Sequence, residues 1–233
     1  MSLRTIVLAI LLMPVAFSVY SRGQHDYCRE RDFIVRKSYD GDSVIITSYR
    51  GRNTDVRVPY EIGGLPVSGI DDSAFIGGHW RRGRGFITGH QITSVAIPDS
   101  VTFIGNSAFM YNKLTYIVIP DSVTSIGRLA FMYNNLSSVT IPNSVTSIGE
   151  HAFRNNQLTH ISILSEIIQI GLGAFADNHQ LISITVGNDV EFEQWNVDTF
   201  GLFGPAFGLF YESQGRRAGT YTYNNGTWSV VFR

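Results

Sequence analysis

The stretch Gln91-Ile-Thr-Ser-Val-Ala-Ile-Pro-Asp-Ser-Val-Thr-Phe-Ile-Gly-Asn-Ser-Ala-Phe109 decides the fold, because its apolar skeleton returns from Lys113, from Asn135 and, more loosely, from Gln157. The interval is 22 residues each time. Ile97-Pro98, Ile119-Pro120 and Ile141-Pro142 make one column; Phe109, Phe131, Phe153 and Phe175 make another. Repetition at this period means an array. A single unit cannot bury its own apolar edge, whereas units stacked ~4.8 Å apart, strand on strand, share one continuous core. The expected fold is a mainly β repeat solenoid, an architecture that displays a surface.

Within each unit, Leu114, Ile117 and Ile119, like Leu136, Val139 and Ile141, alternate as one buried side of a short strand. The proline that follows lacks an N–H and suits a strand end. In the next segment Val123 and Ile126, or Val145 and Ile148, point inward, and the glycine after them is read as permitting a tight bend. Asn112, Asn134, Asn156 and Asn178 lie three residues after each Phe. An asparagine ladder there is expected to satisfy backbone groups of the turn.

The combined pattern Leu-Thr-x-Val-x-Ile-Pro-x-Ser-Val-Thr-x-Ile-Gly-x-x-Ala-Phe-x-x-Asn resembles the BspA-like, or Treponema-type, bacterial leucine-rich repeats over about Val56 to Gly187. The resemblance implies a right-handed solenoid with a strand-lined concave face, in secreted or surface proteins often linked to adhesion.

The flanks read as caps. Residues 1–21 carry one basic residue, Arg4, an apolar run from about Ile6 to Phe17 and then small residues, the form of a secretory signal. That run is shorter than a membrane span, so the mature chain is expected to have no transmembrane anchor and to be exported, to the periplasm, the cell surface or beyond. Residues 22–57 form an N-terminal cap with a hairpin around Asp40-Gly41, and 58–187 are the repeats, opening on an irregular one with Asp71 in place of the usual glycine. Residues 188–233 form a C-terminal cap with a second hairpin at Asn225-Gly226. Cys28 is the only cysteine, which excludes an intramolecular disulfide; it reads as an unpaired thiol in an N-terminal tail, with an intermolecular disulfide as the alternative.

Chemistry is sparse. The sequence has no His/Cys cluster at metal-ligand spacing, no phosphate loop and no Gly-x-Ser-x-Gly elbow, so neither catalytic residues, metal nor cofactor is expected. His151 and His160 are expected to face solvent. Asp189, Glu191 and Glu193 alternate as a solvated strand face. A net charge of −1 provides no broad basic footprint for nucleic acid.

Three features are candidates for recognition. From Phe75 to Phe109 the spacing is 34 residues, and the twelve extra ones fall within 76–90. They bring His79, Trp80, Arg81, Arg82, Arg84 and Phe86 into a glycine-rich loop without an acid, suited to a sulfated or anionic glycan or an acidic protein, or else merely solvated. The second feature is the concave face, where Tyr116, Val118, Thr140, His160, Ser162 and Thr185 make a shallow, nearly uncharged groove for a protein edge or an extended ligand. The third is Phe200, Phe203, Phe207 and Phe210, packed under the cap or else lining a pocket for a small apolar ligand. The leading expectation is a secreted or surface binding protein acting between macromolecules, with an adhesin role implied by the resemblance; a carrier and a self-assembling envelope component are the alternatives.

Overall fold

The computed structural model describes residues 28–81, 85–163, 169–188, 190–192, 210, 211, 213–224 and 227–232. The signal-like segment 1–21 lies outside them, as do Arg82, Arg84, Asp189, Glu193, Phe200, Phe203, Phe207 and the Asn225-Gly226 turn.

The chain winds as a mainly β solenoid whose turns contribute one short strand to each of two sheets. In the first sheet β2 (Val44–Tyr49) pairs in parallel with β5 (Leu65–Ile70), followed by β9 (Phe103–Ile104), β10 (Ser125–Ile126), β12 (Ser147–Ile148), β14 (Gln169–Ile170) and β16 (Glu191–Phe192). β1 (Phe33–Lys37) pairs antiparallel on β2 at the N-terminal edge, and β4 (Glu61–Ile62) joins β5. The register keeps the repeat: Ser125 faces Ser147 and Ile126 faces Ile148.

The second sheet is made by the Leu-x-x-Val/Ile-x-Ile segments and is split in two. β3 (Asp55–Arg57) pairs with β8 (Ser94–Ala96). β11 (Ser138–Ile141), β13 (His160–Ile163) and β15 (Ser183–Val186) continue in parallel, then turn antiparallel with β17 (Gly219–Asn224) and β18 (Thr227–Phe232). Between the two parts the strand expected at Tyr116–Ile119 does not form. Ile117 and Ile119 are buried like their counterparts, so packing keeps the turn in place while its ladder is lost.

The turns between the sheets are the most regular part. Phe75, Phe109, Phe131, Phe153 and Phe175 stack face to face with centroids 4.9, 5.3, 5.2 and 5.3 Å apart, all fully buried. Beside them Asn112, Asn134, Asn156 and Asn178 form the expected ladder, also buried. Asn134 shows the unit: its Oδ1 accepts the Leu114 N–H at 3.0 Å, and its Nδ2 donates to the Phe109 and Phe131 carbonyls at 2.9 and 3.0 Å. One carboxamide thus satisfies three buried backbone groups and ties two turns together. At the insertion His90 holds the asparagine position, and Gln91 Nε2 donates instead to the Gly77 and Tyr111 carbonyls at 2.9 and 3.1 Å.

The glycine column has a different cause from the expected bend. Gly105, Gly127, Gly149 and Gly171 have no left-handed φ. A Cβ on any of them would lie 2.4–2.6 Å from backbone of the preceding turn, so close stacking is what requires glycine. The left-handed conformations fall two residues later, at Ser107, Leu129, His151 and Gly173, and again at Tyr111, Tyr133, Asn155 and Asp177.

Tyrosines close both ends of the core. Tyr49 stacks on Phe75 at 5.5 Å, and its hydroxyl donates to the Asn53 carbonyl at 3.2 Å; burial pushes its pKa up. Cys28 does not dangle in a tail: it is buried, with its sulfur 3.6 Å from the Tyr49 hydroxyl, which withdraws it from an intermolecular disulfide in this conformation. At the other end Tyr211 and Tyr221 are buried edge to face at 5.5 Å, and Phe210 packs edge-on against Tyr221.

Candidate functional site

Side chains of the second sheet alternate by the strand period of two, so one set enters the core and the other lines an open face. Val139, Ile141, Ile161, Ile163, Ile184 and Val186 go inward. The registers connect the outward positions into two columns, Ser138–His160–Ser183 and Thr140–Ser162–Thr185. The sequence repeat places Tyr116 and Val118 at the head of these columns, after Ser94 and Ala96.

Tyr116 and Val118 are 56% and 64% exposed, and the three strands that follow them present only small hydroxyl side chains and His160 on this face. They lie where the ladder is interrupted. His160 is exposed as expected, with Nδ1 2.8 Å from the Thr159 hydroxyl. His151 is not: its side chain is 18% exposed, Nε2 lies 3.3 Å from Glu150 Oε1, and Nδ1 lies 3.3 Å from the Gly173 carbonyl.

The face extends further than the repeats. Ser183 and Thr185 are opposite Thr222 and Thr220, which in turn are opposite Ser229 and Val231. Both columns therefore run on through β17 to β18, ending in Val231, 74% exposed. Sequence reasoning missed these four residues because antiparallel cap strands follow no repeat; the alternation Thr220, Thr222 was the available signal.

The insertion is a β hairpin rather than a flexible loop. β6 (Gly78–Arg81) pairs with β7 (Gly85–Thr88), setting His79 opposite Ile87, Trp80 opposite Phe86 and Arg81 opposite Gly85. His79 is exposed. Phe86 folds over Gly78, where a Cβ would lie 2.5 Å from its ring, and meets Tyr111 edge-on at 4.8 Å; Tyr111 stacks on Tyr133 at 4.7 Å. Phe86 is thus an anchor joining the hairpin to the solenoid. The hairpin leaves the turn that leads into β8.

Of the phenylalanine-rich segment only Phe210 is described, half-buried against Tyr221. Across the first sheet the glycine column leaves a trough of about 580 Å³ lined by Phe103, Asn106, Ser125, Arg128, Ser147 and Gln169. Arg128 is engaged there by Glu150 at 3.0 Å. Among the described residues no group of three or more His, Cys, Asp or Glu is placed to hold a metal, and no helix is long and apolar enough to cross a membrane.

Two sheets of short strands, with an asparagine ladder and a phenylalanine stack that recur every 22 residues from Phe109 to Asn178, define a leucine-rich-repeat solenoid. The family model for the BspA type leucine rich repeat region matches residues 84–200 in six copies, and the chain belongs to that family. Among solved structures it is similar to a Treponema pallidum leucine rich repeat protein (24% identity, TM-score 0.47, 67% of this chain and 91% of that one). It is also similar to a leucine rich cell surface protein of Faecalibacterium prausnitzii A2-165 (22%, 0.41, 91% and 62%) and to a leucine-rich repeat protein of Bacteroides ovatus ATCC 8483 (16%, 0.34, 74% and 72%). No curated protein matches the chain.

Proposed function

We propose that this protein is an exported, surface-acting binding protein whose open strand face takes a protein partner, with Tyr116 and Val118 as the anchoring side chains. The observation that carries the reading is their exposure beside three following strands whose outward positions are small hydroxyl side chains and His160. Aromatic and aliphatic anchors amid small, energetically neutral neighbours are the usual composition of an interface centre. The family supports the binding role; export rests on residues 1–21 as a signal, with 22–57 and 188–233 as caps on repeats 58–187. The sequence of the insertion carries Arg81, Arg82 and Arg84, residue types suited to an acidic patch on the partner or to an anionic surface glycan.

The test is binding of the purified protein to matrix proteins and sulfated glycans across a salt series. Tyr116→Ser with Val118→Thr installs the residues that the same columns carry one turn later, at Ser138 and Thr140. Loss of saturable protein binding with an unchanged melting temperature is the expected result. Binding indifferent to this pair would reject the strand face as the site. Salt-sensitive binding lost only with the three arginines would move it to the hairpin.

A further inference from the structure

The trough across the first sheet uses its polar side chains differently from the surface beside it. Next to it the hydroxyls of Thr102, Ser122, Thr124 and Thr146 donate to carbonyls of the preceding turn at 2.9, 2.7, 3.0 and 3.2 Å. Those groups are already satisfied within the solenoid. Inside the trough the hydroxyls of Ser125 and Ser147 and the carboxamide of Gln169 make no hydrogen bond among the described residues. The register sets them in one column headed by Phe103, which is half-buried, with its ring over Gly69 and no ring contact among the described residues. Along the column, Gly105, Gly127, Gly149 and Gly171 keep the floor free of side chains.

We infer that this trough binds a neutral, linear oligosaccharide, with Phe103 as the platform for one sugar ring and the Ser125, Ser147 and Gln169 column as the partners of the hydroxyls that follow. The lining selects this occupant over the others. An added peptide strand needs an open edge, and the sheet is paired without a gap from β5 through β16. An anion would meet Arg128, whose Nε is already engaged by Glu150 at 3.0 Å. An apolar ligand would cover hydroxyls that have no partner, at a cost in free energy. A sugar chain answers both parts of the lining, since its hydroxyls donate and accept as serine and glutamine do and its apolar ring faces suit an aromatic platform. The column runs for three steps of ~4.8 Å, about 14 Å, so it fits a short run of sugars rather than a single one. The volume of about 580 Å³ lies within the roughly 300–1,000 Å³ of small-ligand sites.

The site lies on the other sheet from Tyr116 and Val118, so the inference is independent of their anchoring role. Isothermal titration of the purified protein with neutral linear hexasaccharides of glucose, N-acetylglucosamine, xylose and mannose should show saturable binding of at least one, insensitive to salt. Phe103→Ser installs the residue that the column carries at the next two turns and removes the platform. Ser147→Ile removes a hydroxyl and sets a branched side chain across the floor while keeping a strand-forming residue in β12. Each should weaken binding by about tenfold or more, with the solenoid retained by circular dichroism, whereas Tyr116→Ser with Val118→Thr should leave it unchanged. No binding of any of the four sugars at about 1 mM, binding indifferent to both Phe103→Ser and Ser147→Ile, or binding only of sulfated chains that is lost with salt would overturn the inference.

Discussion

The turn side and the open strand side of this solenoid are built from the same repeats and behave differently. On the turn side every unit repeats the same contacts: ring spacings stay within 4.9–5.3 Å, and the ladder carboxamides accept the same amide at 2.8–3.0 Å. On the strand side the ladder stops at Tyr116–Ile119 and resumes one turn later, and the outward residues change from turn to turn. Stacking is therefore secured at the turns. With the repeats held there, the strand face is released from a structural duty and is free to carry Tyr116, Val118 and His160.

The sharpest way to break this comparison is to damage the two sides separately. Phe131→Ala opens a cavity in the middle of the stack and should cost about 3–5 kcal/mol, the range for emptying a large aromatic from a packed core. Asn134→Ala leaves the buried Leu114 N–H without its acceptor, while the Phe109 and Phe131 carbonyls keep their bonds from Asn112 and Asn156, so a loss of about 1–3 kcal/mol is expected in chemical denaturation. If either variant unfolds no more easily than the wild type, the turn side does not hold the array. Gly127→Ala drives a Cβ against the Gly105 and Asn106 backbone at 2.6 Å and should cost about 1–3 kcal/mol despite the entropy an alanine removes from the unfolded chain. By contrast, Tyr116→Ser with Val118→Thr should move stability by no more than about 0.5 kcal/mol, as for most surface changes, while abolishing partner binding.

Legibility in the sequence follows the same division. The phenylalanine and asparagine columns were readable because each turn puts them in the same surroundings, so the same residue recurs. The split in the strand face was not readable: Leu114, Ile117 and Ile119 have the same apolar skeleton as Leu136, Val139 and Ile141, and the difference lies only in backbone hydrogen bonds. The glycine column was found and assigned the wrong cause, since a sequence does not distinguish a glycine needed for its φ from one needed for close approach. Phe103 shows that the second cause is local. It replaces the serine of later turns, and its ring covers Gly69, where a Cβ would lie 2.1 Å away. Cys28 and the extension of the face through Thr220, Thr222, Ser229 and Val231 depend on contacts far apart in sequence or outside the repeat.

The first turn shows what happens where the pattern has nothing to stack upon. Asp71 stands in the glycine column, above β2 rather than above another repeat turn, and its N–H donates to the Ile46 carbonyl at 2.8 Å. Room exists there for a side chain, and its carboxylate accepts a hydrogen bond from Arg36 Nε of β1 at 2.8 Å. That hydrogen bond, with Arg36 beside it, holds the Asp71 pKa below its usual 3.8. A carboxylate whose pKa is depressed by folding adds stability that is present above its unfolded value and lost as pH falls through the folded one. Acid should therefore loosen the N-terminal cap first, below about pH 4. Because the pair is largely exposed the effect is small and fades with salt. Hydrogen exchange of the β1 amides between pH 5 and 3 reads it directly, once corrected for intrinsic rates. Asp71→Asn should remove the pH dependence in β1 while leaving exchange at Phe131 and Asn134 untouched. Equal acid sensitivity at both places would mean that the cap and the turn column unfold as one unit.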